Sequence, residues 1–228
     1  MFYHFLQIFL SPIVRFLWIK KVQGLWHIPS HGGAVLVANH SSFLDPVVVS
    51  SVVSRRIYYM AGEWVFKKPV FGLIARVMAS IRVERSSCAN NEAAIDTCVN
   101  LVKRGDLVMV FPEGSLAKAW ILRKPFTGAA RIAGAAHAPI IPLGICGTYE
   151  IQPYNRAFPK IAKKVVLTVG KPLSIENRSK NPDDRQYFVE CMDSVMEKIG
   201  ELCGLKYDKA EWSDDAPSKL RKNIIGGK

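Results

Sequence analysis

The pattern that most limits the fold of this chain is a regular alternation of short apolar runs with longer amphipathic stretches. The apolar runs have the length of strands and lie at 34–38, 56–60, 79–83, 107–111, 139–145 and 164–169. Stretches with the length and spacing of helices lie near 46–54, 63–78, 91–104 and 124–136. Such alternation is typical of parallel strands joined by helical crossovers. We therefore predict an α/β fold with a largely parallel central sheet flanked by helices.

The first 19 residues are rich in Phe, Leu, Ile and Trp but match neither a membrane span nor a secretory signal. His4, Ser11-Pro12 and Arg15 interrupt the apolar run, whereas a span needs about 20 apolar residues in succession. A positively charged start and a small-residue cleavage site are also missing. We predict an interfacial membrane-binding helix, or a pair of helices hinged at Ser11-Pro12, with Trp18 and Lys20-Lys21 at headgroup level. The alternative is that this segment packs on the protein's own core.

The chain as a whole has the composition of a single domain. Of its 228 residues 49% are hydrophobic, which is enough for a full core, and no linker or internal repeat divides it. Residues 184–203 read as a final amphipathic helix with one apolar stripe. We divide the chain into a membrane-associating segment at 1–20, a folded domain at 21–208 and a polar, loosely ordered tail at 209–228.

A histidine and an aspartate follow the first apolar run, five residues apart. Residues 39–45 read Asn-His-Ser-Ser-Phe-Leu-Asp and begin where the run ends, the region in which ligands of α/β sheets bind. An imidazole can act as a general base at neutral pH, and a carboxylate can fix its orientation. Because side chains five apart do not share a helix face, we expect a turn, with Asp45 as N-cap and Pro46 as the first helical residue. A structural interpretation stays open, in which Asp45 only caps a helix and His40 is a loop histidine.

Another apolar run, at 107–111, leads into a turn with its own polar groups. The run 107–111 ends in Pro112-Glu113-Gly114-Ser115, which presents backbone N–H groups and a carboxylate at the end of a strand. Ligands of open α/β sheets bind at that edge. By itself such a turn is ordinary loop chemistry. Its position behind the His-Asp pair makes it a candidate part of the same site.

Together the two segments resemble the glycerolipid acyltransferase family. That family carries four blocks in order, namely His-x4-Asp, a strand ending in Arg, Phe-Pro-Glu-Gly and a Pro-rich apolar strand. All four occur here, at His40–Asp45, at 81–85 (Ile-Arg-Val-Glu-Arg), at Phe111–Gly114 and at 139–143 (Pro-Ile-Ile-Pro-Leu). The resemblance covers about residues 20–175, and the first and third blocks are the specific ones.

The resemblance implies transfer of a fatty acyl group from acyl-coenzyme A or acyl carrier protein to the sn-2 hydroxyl of lysophosphatidate, which gives phosphatidate. It makes His40 the general base and Asp45 the group that orients it, without an acyl-enzyme. It assigns the phosphate of the acceptor to Arg85 and the Gly114-Ser115 turn, since guanidinium and backbone N–H groups suit an oxyanion. Glu113 is then a positioning group. No cofactor is implied beyond the acyl donor.

One departure from the family pattern concerns the acceptor. Many members continue Phe-Pro-Glu-Gly with Thr-Arg, whereas Ser115-Leu116 follows here, so an arginine linked to phosphate binding is replaced. We expect Lys118, Arg123 or Lys124 to supply that charge. The sequence over 114–131 resembles an actinobacterial branch that includes an acyltransferase for mannosylated phosphatidylinositol. The acceptor therefore stays open between lysophosphatidate, another lysolipid and mannosylated phosphatidylinositol.

The charge of the chain agrees with anionic partners. It has 31 basic and 19 acidic residues, a net charge of +12, which favours a polyanionic surface or substrate. The expected partners are a lysophospholipid acceptor, acyl-coenzyme A or acyl carrier protein, and an anionic membrane. We expect the protein at the cytoplasmic face of the cell membrane, monotopic or peripheral. The apolar stretch 64–78, interrupted by Lys67-Lys68-Pro69, either lines the acyl-chain groove or packs in the core.

Two other function classes have weaker support. A basic nucleic-acid or membrane-binding module fits the charge, but the chain lacks the usual nucleic-acid motifs and its basic residues are dispersed, so no nucleic acid is expected. A serine hydrolase would use Ser41, Ser42 or Ser115, but no Gly-x-Ser-x-Gly elbow occurs. The five cysteines and the other histidines show neither disulfide nor metal-ligand spacing, so we expect no metal and a reducing compartment.

Overall fold

The computed structural model describes residues 2–84, 88–116, 121–156, 158–175, 185–207 and 209. Its strands are β1 (Ile19–Gln23), β2 (Ala34–Ala38), β3 (Ile57–Gly62), β4 (Ile81–Val83), β5 (Leu107–Val110), β6 (Ile121–Leu122), β7 (Ile140–Cys146), β8 (Val165–Val169) and β9 (Lys206–Tyr207). Within these residues, seven strands form one sheet in the order β1-β8-β7-β2-β5-β3-β4, and β6 pairs with β9.

Helices cover both faces of the large sheet. They are α1 (Phe2–Trp18), α2 (Asp45–Val52), α3 (Glu63–Phe66), α4 (Pro69–Val77), α5 (Cys88–Lys103), α6 (Gly128–Ala136), α7 (Thr148–Ile151) and α8 (Arg185–Cys203), with a 3-10 turn at Leu25–His27. The predicted α/β class with a largely parallel sheet is confirmed.

The central strands are buried on both faces, which explains why they appear in the sequence as continuous apolar runs. Every residue of β2 and β5 is buried. Along β2, Leu36 packs into a core shared with α1 and α2, whereas Val35 and Val37 pack into a second core shared with α5, α6 and α8. Burial of one such side chain contributes about 1.5–3 kcal/mol. The two cores together fix β2 at the centre of the molecule.

The direction of the strands brings several chain segments to one edge of the sheet. β2 is parallel to β5 and to β7, so these strands end at the same edge of the sheet, at Ala38, at Val110 and, three residues beyond the level of Ala38, at Cys146. We call this edge the carboxyl edge. β8 is antiparallel to β7, and β1 is parallel to β8, so β1 and β8 both begin at the carboxyl edge. The end of α1 and the segment before β8 therefore lie at the carboxyl edge, as the end of β2 does.

Of the two predicted forms of the N-terminal segment, a single helix is confirmed, and a pair hinged at Ser11-Pro12 is wrong. α1 is one helix with Pro12 inside it. Packing against α2 explains why Pro12 does not divide α1 into two helices. Val14 is buried, and Gln7 Nε2 donates to the carbonyls of Ser50 on α2 (2.9 Å) and of Val53 at its C-cap (2.5 Å). Every helix among the described residues falls short of the length or the hydrophobicity that a membrane span needs.

Several other elements depart from the sequence prediction. Strand β1 was not predicted, because Lys20 and Lys21 break its apolar pattern; both are exposed on an edge strand, where lysines are common. The helix predicted over 63–78 is divided into α3 and α4 ahead of Pro69, and α6 begins at Gly128 rather than at 124. β1 crosses the boundary drawn between residues 20 and 21. The tail predicted from 209 lies, except for Lys209, outside the described residues, and the division into segments stays a prediction.

Candidate active site

His40 stands just beyond the end of β2 and is held through one ring nitrogen. Its Nδ1 lies 2.8 Å from Asp45 Oδ2, and its side chain is 17% exposed. A carboxylate oxygen accepts and does not donate, so Nδ1 carries the ring proton of the neutral imidazole. Nε2 is then the nitrogen with a free lone pair. This is the tautomer that a general base requires.

Asp45 is completely buried and serves three donors with one oxygen. Besides His40, its Oδ2 accepts the backbone N–H groups of Ser41 and Ser42, both at 2.9 Å. The prediction that Asp45 is the N-cap of the helix is wrong: Leu44 is the N-cap, and no side-chain capping bond occurs there. The physical reason is that the carboxylate points back into the turn 40–42 and not toward the N–H groups of α2. Asp45 thus fixes the turn and the histidine together.

Phe111 covers one face of the imidazole. The two ring centroids are 4.0 Å apart with an interplanar angle of 19°. Phe111 follows β5, the neighbour of β2, so the stacking comes from the parallel pairing of these strands. It restricts rotation of His40 about its side-chain bonds. Sequence reasoning treated Phe111 only as the first letter of Phe-Pro-Glu-Gly and gave it no role in the site.

Glu113 joins the turn after β5 to the turn after β2. It is 2% exposed, and its Oε1 accepts the backbone N–H of His40 at 3.0 Å. Its Oε2 accepts the backbone N–H of Arg123 at 3.3 Å and lies 3.6 Å from Arg123 Nε. Burial raises the pKa of Glu113, and the contacts with His40 and Arg123 oppose that rise. The carboxylate therefore positions the backbone that carries His40.

The Gly114-Ser115 turn is fixed by Arg123, which lies half-buried behind it. Gly114 has φ +68°, a left-handed conformation that glycine adopts without strain. Arg123 Nη2 donates to the carbonyl of Ser115 at 2.6 Å and to its Oγ at 3.0 Å. A guanidinium is thus held beside the turn predicted to bind phosphate. Two other predicted site residues, Arg85 and Lys118, lie outside the described residues.

A layer of polar side chains behind the site ties the end of β2 to β7 and α7. Asn39 is buried and exchanges two hydrogen bonds with the backbone of Ile145, both at 2.8 Å. Ser41 Oγ lies 3.2 Å from Thr148 Oγ1, and Ser42 Oγ donates to the carbonyl of Gln152 at 2.7 Å. Both hydroxyls are buried and bonded away from His40. This arrangement gives the serine-hydrolase interpretation no support.

Replacement of Glu113 by glutamine tests its positioning role. Each oxygen of the Glu113 carboxyl group keeps a lone pair for the backbone N–H that faces it, whether or not the group is protonated, whereas the amide nitrogen of glutamine cannot accept. We therefore expect a loss of about 1–3 kcal/mol in the free energy of unfolding below the pKa of Glu113. Because the pKa of Glu113 is raised in the fold, wild-type stability falls as pH rises through that pKa, while the variant lacks this titration. The deficit of Glu113→Gln should therefore shrink with rising pH in urea unfolding. A deficit that grows with pH would show that Arg123 outweighs burial.

The fold and the site together define an α/β protein with a histidine imidazole, held through Nδ1 by a buried aspartate, at the carboxyl edge of its sheet. Within the part of the chain that the structure describes, no three His, Cys, Asp or Glu residues are grouped as metal ligands would be. The family model described as Acyltransferase matches residues 20–146, more than half of the chain. The protein belongs to this family, and the resemblance noted in the sequence is confirmed.

Several relatives carry the same name. A chloroplastic 1-acyl-sn-glycerol-3-phosphate acyltransferase of Brassica napus is 30% identical over 154 residues, 67% of this chain and 44% of the relative. Enzymes of that name from Escherichia coli K12 and Bacillus subtilis 168 are 26% and 25% identical, over 76% and 80% of this chain and 69% and 87% of theirs. The chain spans less than half the length of the plant relatives.

A solved structure shows the same fold. The crystal structure of the 1-acyl-sn-glycerophosphate acyltransferase from Thermotoga maritima superposes with a TM-score of 0.65 at 24% identity. The match covers 93% of this chain and 80% of that one.

Proposed function

We propose that this protein is a membrane-surface acyltransferase that moves a fatty acyl group from acyl-coenzyme A or acyl carrier protein to the sn-2 hydroxyl of 1-acylglycerol 3-phosphate, giving phosphatidate. The observation that carries the proposal is the His40 imidazole, held through Nδ1 by Asp45 at the carboxyl edge. Membership of the Acyltransferase family and the names of the relatives support the reaction and the acceptor. The acyl donor is a substrate, and the proposed chemistry includes no cofactor.

The proposed reaction uses one base and no covalent enzyme intermediate. Nε2 of His40 takes the proton of the acceptor hydroxyl while its oxygen attacks the thioester carbonyl carbon. The tetrahedral intermediate collapses, the C–S bond breaks, and the leaving thiolate receives the proton from the imidazolium. Asp45 stabilises the imidazolium while it exists, as the carboxylate does in other His-Asp pairs. The bonds of Ser41 and Ser42 to Thr148 and Gln152 agree with a mechanism that lacks a serine nucleophile.

We propose that the acyl chain of a substrate lies along α3 and α4. Trp64, Leu73 and Ile74 expose 45%, 62% and 39% of their surface there, although apolar side chains of this size usually lie inside. Phe43, within the turn that carries the base, contacts the Trp64 ring edge-on at 5.9 Å between centroids. An alkyl chain on this surface would end beside His40.

Arg123 is the proposed cation for the phosphate of the acceptor, in place of the arginine that Leu116 replaces. Its guanidinium is held at the Gly114-Ser115 turn, and a positioned fork binds phosphate oxygens well. Arg85 and Lys118 stay proposals for the same role. We expect Arg123→Gln to raise the KM for lysophosphatidate about tenfold or more, since a charged hydrogen bond contributes about 1.5–3 kcal/mol. The KM for the acyl donor is the internal control. An unchanged acceptor KM with a lowered melting temperature would make Arg123 purely structural.

The reaction is tested by thiol release from oleoyl- or palmitoyl-coenzyme A with and without lysophosphatidate, together with mass detection of phosphatidate. Thiol release that depends on the acceptor and matches phosphatidate formation supports the proposal. Release without an acceptor would identify a thioesterase instead. Release only with another lysolipid or with mannosylated phosphatidylinositol would keep the reaction and change the acceptor. The same assays with acyl carrier protein identify the donor.

We further propose that the protein acts from the cytoplasmic face of the cell membrane as a peripheral or monotopic protein. α1 supports membrane contact, because it exposes Ile8, Phe9, Ile13 and Phe16, each to more than half of its surface. Large apolar side chains grouped on one helix are typical of interfacial helices. The acceptor and the product are both lipids, so a base at the bilayer surface would meet them where they reside.

A further inference from the structure

The segment between α7 and β8 carries the most exposed large apolar side chain of the described residues, together with two others. We call residues 153–164 the basic loop. Phe158 is 82% exposed and Ile161 is 79% exposed, and Tyr154 is 55% exposed. Full exposure of a single apolar residue is ordinary, but three within eight positions form a patch that water does not favour.

The same loop carries four exposed positive charges. Arg156, Lys160, Lys163 and Lys164 are all exposed, and the sequence from 153 to 164 contains no Asp or Glu. The charges alternate with the apolar residues along the chain. Apolar side chains that enter a bilayer boundary beside lysines that meet lipid phosphates are typical of interfacial membrane contacts.

The basic loop is continuous with the exposed face of α1. Trp18 Nε1 at the end of α1 donates to the carbonyl of Lys160 at 2.9 Å. Lys163 Nζ lies 5.5 Å from the centre of the Phe16 ring, which itself is 75% exposed. Two segments separated by about 140 residues thus form one surface of aromatic, aliphatic and basic side chains.

This surface lies at the edge of the sheet that carries the base. β1 and β8 begin at the carboxyl edge, so the end of α1 and the end of the basic loop both lie there. The loop is also anchored to the site at its base: the N–H of Lys160 donates to the carbonyl of Ile151 at 3.0 Å, and Ser42 Oγ donates to the carbonyl of Gln152. A partner that binds to the basic loop is therefore close to the turn that holds His40.

We propose that the basic loop is a second membrane-contact element, in which Phe158 and Ile161 enter the acyl boundary of an anionic bilayer while the neighbouring lysines contact lipid phosphates. With α1 it forms two points of contact that orient the carboxyl edge toward the lipid. A bilayer fits better than an acidic protein such as an acyl carrier protein, because the loop exposes its two most apolar side chains to nearly their full extent. It also fits better than a second copy of this chain, because the charges of such a copy would repel.

The test is flotation of the full-length protein with phosphatidylcholine vesicles, with and without phosphatidylglycerol. We expect Phe158→Ser/Ile161→Ser to lower the partition coefficient about 10- to 100-fold on both vesicle types, since each side chain loses its transfer from water. The matched control is Trp26→Ser. Trp26 is 79% exposed but lies in the turn after β1, at the opposite edge of the sheet, so its loss should leave flotation unchanged. Circular dichroism of each variant checks that the fold is retained.

A second variant isolates the charges. Lys160→Gln/Lys163→Gln/Lys164→Gln should remove most of the preference for phosphatidylglycerol, about fivefold for each lysine, and leave binding to phosphatidylcholine nearly unchanged. The preference should weaken with added salt.

Three results would overturn the proposal. Wild-type flotation by the folded Phe158→Ser/Ile161→Ser variant would remove the loop from the membrane surface. Unchanged flotation with loss of self-association would assign the loop to a contact between copies, and loss of binding to acyl carrier protein alone would assign it to that partner. Because flotation measures binding and not turnover, failure of the proposed reaction leaves this test intact.

Discussion

Replacement of His40 by alanine is expected to lower kcat of acyl transfer about 10²- to 10⁴-fold, the usual cost of removing a general base. Nε2 of His40 is the nitrogen left free to take the proton, because Nδ1 is engaged by Asp45. The fold should persist, since Asp45 Oδ2 keeps its bonds from the N–H groups of Ser41 and Ser42. Steady-state thiol release at saturating donor and acceptor, with thermal unfolding in parallel, measures both effects.

The control for this variant is His31→Ala. His31 is exposed in the turn before β2, at the opposite edge of the sheet from His40. Its replacement should leave kcat within about twofold of wild type, because surface substitutions away from a site usually have small effects. A folded His40→Ala variant with wild-type kcat would show that the base lies elsewhere and would refute the proposed mechanism.

Asp45→Asn is expected to lower kcat by a similar factor, about 10²- to 10⁴-fold, while the acceptor KM changes little. The amide removes the negative charge that stabilises the imidazolium during transfer. It also offers one acceptor oxygen and one N–H₂ group, and if the N–H₂ group faces the ring, Nδ1 must accept and Nε2 becomes a donor. In either orientation the amide accepts the hydrogen bonds of His40, Ser41 and Ser42 less well than the buried carboxylate does. We therefore expect a lower melting temperature together with the loss of kcat.

Asp106→Asn separates this effect from loss of any carboxylate. Asp106 pairs with Arg104 at 2.6 Å on the surface before β5, away from the carboxyl edge. Exposed ion pairs contribute about 0–1 kcal/mol, so this variant should retain its activity and nearly all of its stability. If Asp45→Asn loses kcat no more than Asp106→Asn, Asp45 acts only through the fold. Recovery of kcat at lower temperature would point to the same conclusion.

The large sheet was predictable to the extent that burial leaves a mark in the sequence. The residues of β2 and β5 are buried on both sides and therefore appear as uninterrupted apolar runs. β1 carries exposed Lys20 and Lys21 at the sheet edge, so the run that marks a central strand is absent there. The antiparallel pairing of β8 with β7 leaves no local mark at all, because strand direction is set by how the whole chain returns to the sheet.

The candidate site also has features that the sequence predicts and features that only the structure shows. His40, Asp45 and Glu113 could be predicted as candidates because each belongs to a short contiguous motif, and their residue types suit proton transfer and orientation. Phe111 belongs to the Phe-Pro-Glu-Gly motif, but its stacking on His40 could not be predicted, since only the pairing of β2 with β5 brings the two rings together. The hydrogen bonds between Asn39 and Ile145 and between Ser42 and Gln152 join residues more than 100 positions apart, and no spacing in the sequence announces them.

The sequence by itself determined the class of fold, the Acyltransferase family and the pair of residues proposed for proton transfer, because these follow from local burial and from motifs read within a few residues. Only the tertiary structure decided that Asp45 turns back to hold the turn rather than cap its helix. It also decided that Glu113 and Arg123 fix the backbone around His40, and that α1 and the basic loop share the carboxyl edge with His40. These depend on strand direction and on contacts between distant segments, whose free energy exists only when the whole chain is packed.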